Sequence, residues 1–375
     1  MPATQSQPAS RKQSSSWWSI PRARSGAHEL PLVNLADHPL MKACRREAAP
    51  YTPVWLMRQA GRYMPEYREV REKFGFLALC TRPEVAAEVT VTAVRRLGVD
   101  AAIIFADILL PLIPMKLGLS YEAGGGPRIE RRVASAEDVS ALREIEPAES
   151  LSFVADAIRI VRRELPDRPL IGFAGAPFTL ASYMIEGGSS RDYRLTKTFM
   201  YREPMAWDRL MGMLAKITGK YLQMQAAAGA DLIQLFDSWV GALSPADYRR
   251  FVMPYSRAAL APLAGRIPTI HFGTGTAGLL EAMREAGGDV IGVDWRVNLR
   301  EAWSRLGNGV AIQGNLDPMV LLAETAEIRR QVKIVLEQAD GRPGHIFNLG
   351  HGILPQTPVD HAIALVDMVH ELTSR

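Results

Sequence analysis

Cysteine is scarce and long apolar runs are missing. Only Cys44 and Cys80 occur in 375 residues, and neither sits in a CxxC pair or among ligand-spaced histidines. A disulfide scaffold and a structural zinc site are thereby disfavoured, and a reducing compartment, the cytoplasm, is the default. No hydrophobic stretch approaches the roughly 18–20 residues that span a bilayer, so no membrane partner is expected. No GxGxxG follows the first apolar segment, and Gly124-Gly125-Gly126-Pro127 is not followed by Lys-Ser or Lys-Thr. Dinucleotide and P-loop phosphate sites lose their main signals, and the glycine run reads as a turn.

The body of the chain also lacks net charge. The formal charge is +4, but Arg11, Lys12, Arg22 and Arg24 all fall within residues 1–28, which hold no acid. Setting those four aside leaves 40 basic against 40 acidic residues. No basic face for nucleic acid is expected. Residues 1–40 are rich in Ser, Gln and Pro and read as a disordered N-terminal extension. A basic, acid-poor, Ser-rich start also suits an organelle transit peptide. It shows no sustained amphipathic period, so a plain extension is the preferred reading.

What remains, residues 41–375, reads as one domain of alternating strands and helices. Eight short, mostly apolar segments are predicted strands: 53–57, 101–106, 170–174, 231–236, 269–272, 290–293, 310–313 and 345–349. Continuous apolar character marks strands covered on both faces. Between them lie helical patterns. Thr81 reads as the N-cap of one that carries Pro83 and Glu84, then Val85, Val89, Ala93 and Leu97 at helical spacing, and stops at Gly98. Ser244-Pro245 opens another. Eight strand–helix units predict an α/β fold, a single (β/α)8 TIM barrel.

In such a barrel the chemistry sits at the carboxyl ends of the strands. Those ends here read Arg58, Asp107, Asp237-Ser238, Asp294, Asn315 and His351. Asp237 and Asp294 fit helix N-caps. Asp107 differs, because Ile103-Ile104-Phe105-Ala106 precedes it and Ile108-Leu109-Leu110 follows. A buried carboxylate with no local partner costs several kcal/mol or stays protonated. It either bridges to a distant arginine or faces donors on a ligand, and the apolar walls favour the ligand. Arg58 ends a strand, and Arg62 lies one helical turn on; guanidinium groups bind carboxylates in a planar, bidentate way. Arg71 could extend that positive rim, whereas Arg68 reads as solvated. Tyr183 suits a core ring as well as a pocket ring. Ser238 has no histidine beside it in sequence and reads as a hydrogen-bonding group. His351 lies between Gly350 and Gly352, glycines that permit a sharp turn and leave the imidazole uncovered. His271 reads as a satisfied core residue.

These residues carry a resemblance. Met57-Arg58-Gln59-Ala60-Gly61-Arg62-Tyr63-Met64-Pro65-Glu66, Ala102 through Leu109, Phe173 through Gly188, Phe236-Asp237-Ser238, Gln313 through Pro318 and Asn348-Leu349-Gly350-His351-Gly352 are similar to the motifs of the uroporphyrinogen decarboxylase family. The likeness runs from about Met41 to the end. It implies a (β/α)8 barrel that acts as a homodimer with neither metal nor organic cofactor. The implied reaction converts the four acetate side chains of uroporphyrinogen III to methyls, giving coproporphyrinogen III for tetrapyrrole synthesis. By the same resemblance Arg58, Arg62, Asp107, Tyr183, Ser238 and His351 fall on substrate-contact positions, with Arg71 on a further basic one. Asp107 and Arg58 are the expected catalytic pair.

The residues suit that chemistry. Decarboxylation needs an electron sink, and no pyridoxal, thiamine or metal motif stands out. A protonated pyrrole can serve, with an ionised Asp107 accepting the pyrrole N–H groups and stabilising the ring cation. Arg58 would hold the reacting acetate or relay a proton. The main alternative is a zinc-dependent corrinoid or thiol methyltransferase of the same fold. It needs a thiolate-bearing site, typically a His-x-Cys element, and His271-Phe272-Gly273 lacks the cysteine. A non-catalytic tetrapyrrole carrier would keep the arginines but has no need of Asp107.

Overall fold

The computed structural model describes residues 34–121 and 126–375. The expected extension lies outside the described residues as far as residue 33. Its last stretch does not: Leu35–Asp37 is a 3-10 turn capped by Asn34, and His38 caps the helix Pro39–Cys44. Leu40 there is fully buried, which stabilises by about 1.5–3 kcal/mol. Order therefore begins before residue 40. A composition average over a whole tail is blind to one buried leucine.

Among the described residues the strands are β1 (Ala102–Ile103), β2 (Leu119–Tyr121), β3 (Pro127–Ile129), β4 (Leu170–Gly175), β5 (Leu232–Phe236), β6 (Thr269–Phe272), β7 (Val290–Gly292), β8 (Ala311–Gln313) and β9 (His345–Ile346). One parallel sheet of seven strands runs β1-β4-β5-β6-β7-β8-β9, and β2 pairs with β3 as an antiparallel hairpin. The sheet is curled, and helices fill the connections.

Seven of the eight expected strands are present in this sheet. The remaining segment, 53–57, is not a full strand. Val54 makes one parallel bridge to Phe347, just beyond β9, and its carbonyl accepts the Asp100 amide, just before β1. The Trp55 amide still donates to the Phe347 carbonyl at 3.3 Å, but the two after it turn to side chains: Leu56 N–H donates to Gln59 Oε1 at 3.2 Å and Met57 N–H to Asn348 Oδ1 at 3.0 Å. Side-chain acceptors thus replace the ladder partners that a longer strand would need.

Alternation along the strands builds two apolar layers. Ile171, Leu232, Ile270, Val290, Ala311 and Ile346 pack with Trp55 and Leu40. Leu170, Ile233, Ile291, Ile312 and Phe347 pack with the surrounding helices. A polar chain runs among the first set: Trp55 Nε1 donates to Gln313 Oε1 at 3.0 Å, and Gln313 Nε2 to Gln234 Oε1 at 3.0 Å. It ties residue 55 across to β8 and β5.

The helix Pro83–Leu97 buries Val85, Val89, Ala93 and Leu97, and Gly98 ends it in the left-handed region at φ 68°. Thr81 is not its cap. Thr81 closes the preceding helix, Phe76–Thr81, and its hydroxyl donates back to the Leu77 carbonyl at 2.9 Å. Ser244 does cap Pro245–Phe251, accepting the Asp247 amide. The expected turn at Gly124–Gly126 falls mostly at residues 122–125, outside the described residues, and β2 and β3 flank it. That hairpin is fastened to the chain after the helix Pro177–Glu186: Ile129 N–H donates to the Gly187 carbonyl at 2.9 Å, and Arg128 bridges Gly188. Among the described residues no helix is long and apolar enough to cross a membrane.

Candidate active site

The loop after residue 57 is held from both sides. Ile353 N–H donates to the Met57 carbonyl at 2.9 Å, Gln59 Nε2 donates to the Ala101 carbonyl at 2.9 Å, and the Tyr63 hydroxyl donates to the Gln59 carbonyl at 2.7 Å. Arg58 occupies the left-handed region, φ 61°, an unfavourable conformation for a long side chain that packing must maintain. Its side chain lies over Gly352, where an added Cβ would stand 2.8 Å from both Cγ and Nε of Arg58. Arg58 and Arg62 are exposed. Among the described residues neither pairs with a protein carboxylate within the 4 Å of an ion pair.

Asp107 is half-buried, and Oδ1 accepts the Leu109 amide at 2.8 Å. Burial pushes its pKa up; the Leu109 amide, the Tyr121 hydroxyl and the Arg58 charge oppose this without cancelling it. Among the described residues it forms no ion pair with an arginine, so the distant salt bridge that was the alternative reading is not what is found. The Arg58 charge acts on Asp107, Tyr183 and His351 alike, which brings these four residues together.

Tyr183 lies on the helix Pro177–Glu186, half-buried, its ring 4.0 Å from that of Trp239. Burial raises its pKa, as does the Asp107 charge, while Arg58 lowers it. Ser238 follows β5, half-buried, and its carbonyl accepts the Thr274 hydroxyl at 2.6 Å. Burial lowers the His351 pKa first and Arg58 next, so the ring is held toward its neutral form. The glycines beside it act differently from the turn expected of them. Neither has a positive φ; they provide space. A Cβ on Gly350 would stand 2.7 Å from the Trp295 amide nitrogen, and one on Gly352 would displace Arg58.

Arg71 is not among the charges that act on Asp107, Tyr183 or His351. It lies on the helix Pro65–Phe74, where Nη1 donates to the Tyr67 hydroxyl at 3.2 Å and the guanidinium sits 5.2 Å from the Phe76 ring centre.

Asp237 and Asp294 are not helix caps. Asp237 is fully buried, its Oδ2 accepting the Ser256 hydroxyl at 2.9 Å and facing His271 Nε2 at 3.3 Å. That partner makes His271 the satisfied core residue it was expected to be; its Nδ1 also meets the Gly287 carbonyl at 3.2 Å. Asp294 Oδ2 accepts the Gly275 amide at 2.7 Å and pairs with Arg296, fastening the loops after β6 and β7. The next helix is capped by Asn298 instead.

Sequence reasoning missed Tyr121 and Trp239. Tyr121 comes in on the hairpin, and its ring lies 4.6 Å from Phe76. Its signal was the glycine-rich link between two short runs, a hairpin pattern. Trp239 had no signal beyond its place after a strand end. A separate cleft of about 590 Å³ opens where the strands begin, lined by Glu47, Tyr51, Arg342 and His345, and it carries none of the candidate residues.

A curled parallel sheet with helices in its connections, and with Arg58 acting on a carboxylate, a tyrosine and a histidine beyond its strand ends, makes this an α/β protein of the barrel-like kind. The fold has relatives among solved structures. A methyltransferase from Methanosarcina mazei superposes with a TM-score of 0.76 at 19% identity, covering 89% of this chain and 98% of that one. A B12-independent methionine synthase from Shewanella gives 0.52 at 12% identity, covering 77% and 88%. These likenesses concern the fold alone. The model of the family described as uroporphyrinogen decarboxylase (URO-D) matches residues 35–372, and the chain belongs to that family. Relatives named uroporphyrinogen decarboxylase from Chloroflexus aurantiacus and Sorangium cellulosum are each 55% identical over 334 residues, 88% of this chain and 94% and 95% of theirs. One from Carboxydothermus hydrogenoformans is 54% identical over 336 residues, 89% and 96% of the two chains. The methyltransferase alternative is not favoured by these matches. Cys44 and Cys80 are both buried and free, and among the described residues no three His, Cys, Asp or Glu side chains group as a metal site would require.

Proposed function

We infer that the protein is a carboxy-lyase that decarboxylates uroporphyrinogen III to coproporphyrinogen III. Family membership across residues 35–372 carries the reaction. The observation that carries the site is Asp107, a carboxylate within apolar walls, beside Arg58 yet without an ion pair among the described residues.

The chemistry follows from electron accounting. The ring carbon that bears the acetate must stay trigonal to receive the electrons of the breaking C–CO₂ bond. Protonation therefore falls on the neighbouring ring carbon and makes a cation. Carbon dioxide leaves, an exocyclic methylene forms, a proton added there gives the methyl, and loss of the first ring proton restores the pyrrole. Asp107 accepts the pyrrole N–H groups and stabilises the cation as it forms. Guanidinium groups stay charged near neutral pH, so Arg58 serves to hold the reacting acetate rather than to donate a proton. Arg62 grips further carboxylates, and Arg71 extends the basic rim. Tyr183 forms a wall against Trp239, while Ser238 and a neutral His351 offer hydrogen bonds. The pyrrole supplies the electron sink, and the reaction runs without metal or organic cofactor.

We extend the reading to architecture. Residues 53–57 act as the first strand of a closed (β/α)8 barrel; the Val54 bridge and the Trp55–Gln313–Gln234 chain support this. Residues 41–375 work as one catalytic domain onto which the segment from Asn34 packs through Leu40, and residues 1–28 as an extension dispensable for turnover. The protein acts as a cytoplasmic homodimer, and its free, buried thiols suit a reducing compartment.

The test is product analysis after anaerobic incubation with reduced uroporphyrinogen III. The expected result is a ladder of seven-, six- and five-carboxylate intermediates that ends at coproporphyrinogen III. Unchanged substrate would overturn the reading, and stoichiometric zinc with methyl transfer to a thiol would restore the alternative.

A further inference from the structure

The Asp107 carboxylate has a polar neighbour with an unpartnered hydroxyl to which no role has been given. Tyr121 ends β2, and the hairpin that carries it is fastened to Gly187 and Gly188 by the Ile129 amide and the Arg128 bridge. Its ring packs on Phe76, 4.6 Å between centres at 60°, and the Arg71 guanidinium lies over Phe76 at 5.2 Å from the centre. The hydroxyl oxygen is buried and has no hydrogen-bond partner of normal length among the described residues, and it lies near enough to Asp107 to act against the rise of that carboxyl's pKa. A buried hydroxyl with nothing to bond costs about 1–3 kcal/mol, so retaining it there needs a reason that a phenylalanine of the same shape would not meet.

We propose that Tyr121 is a positioning residue for the reaction: its hydroxyl donates to the Asp107 carboxylate when substrate is bound, holding that group ionised and aimed at the pyrrole nitrogens. The proposal rests on the reading of Asp107 given above. It explains how a carboxyl in apolar surroundings stays charged. The groups that face Asp107 come from every side. They are Arg58 on the loop after 57, Cys80 on the helix Phe76–Thr81, Tyr121 on the hairpin, Tyr183 on the helix Pro177–Glu186 and Tyr221 on the helix Pro204–Ala228. Cys80, Tyr183 and Tyr221 are held neutral by burial, which leaves Arg58 as the charged one. The Leu109 amide gives one hydrogen bond, and the unpartnered Tyr121 hydroxyl is the donor available for a second. The same arrangement gives Arg71 a second use, since it braces Phe76 and Phe76 braces the Tyr121 ring.

The test is Tyr121→Phe in the full chain, with kcat and KM for uroporphyrinogen III followed across pH beside the wild type and Asp107→Asn. A lost hydrogen bond to a charged acceptor raises the pKa of that acceptor. The acid limb of kcat/KM should therefore move up by about one pH unit, with about tenfold lower turnover on that limb and KM little changed. Mere loosening of the hairpin would lower activity equally at every pH and leave the limb in place. A limb at the wild-type position, with Asp107→Asn inactive in the same assay, would overturn the role of Tyr121 and leave the main reading standing. No turnover by the wild type would overturn both.

Discussion

Replacing Asp107 with asparagine removes one negative charge and keeps the outline of the side chain. The new amide oxygen can still accept the Leu109 N–H that Oδ1 now accepts at 2.8 Å, so the turn after β1 survives. At about 4 Å and an effective dielectric constant of about 20, two unit charges attract by about 4 kcal/mol. The ring is neutral in the ground state and cationic near the transition state, so this attraction counts fully toward the barrier. Its loss slows turnover about 10³-fold. Stability moves the other way. Burial raises the Asp107 pKa in the fold, and a carboxyl raised in this way costs stability wherever it is ionised. The free protein gains stability as pH falls through the folded pKa and loses it as pH rises. Asparagine carries no such cost, so the variant should melt no lower than the wild type at pH 7. The assay is single-turnover decarboxylation under anaerobic, reducing conditions, with a thermal melt alongside. A variant within about tenfold of wild-type rate at an unchanged melting temperature would refute the reasoning.

Arg62→Ala should raise KM about tenfold or more, the scale of one charge-assisted contact, and change the balance of partly decarboxylated intermediates; KM and product ladder are the readouts. Gly352→Ala should push the exposed Arg58 side chain aside, because the added Cβ enters its space. Turnover should fall at least tenfold while the melting temperature moves by no more than a few degrees. Removal of residues 1–28 should leave kcat, KM and the oligomeric state, read by sedimentation, unchanged.

Much of the fold was legible because parallel strands covered on both faces declare themselves as short, unbroken apolar runs. β4 through β9 each fall within or beside an expected segment. Residues 53–57 misled in degree. Their apolar run is real, but the acceptors for Leu56 and Met57 come from Gln59 and Asn348 side chains, and local pattern carries no sign of a partner some 290 residues away. The cap assigned to Thr81 failed because an extra turn of helix, Phe76–Thr81, lies just ahead and absorbs its hydroxyl. In the site, Arg58, Asp107, Tyr183 and His351 stand out in sequence as polar groups set against apolar stretches, and the Arg58 charge reaches the other three in the fold. Asp237 and Asp294 were misread because their partners, His271, Ser256 and Gly275, lie on other loops and strands. For Tyr121 the glycine-rich link signals a hairpin but not where that hairpin lands, and only the fold brings it to Asp107.

The most direct measurement is a crystal structure of the protein with coproporphyrinogen III bound under reducing conditions. The account predicts the Asp107 carboxylate oxygens within about 3 Å of the pyrrole nitrogens, with a propionate arm against Arg62 and Arg58 beside a methyl that replaces an acetate. A macrocycle seated elsewhere, or with its nitrogens turned from Asp107, would contradict it.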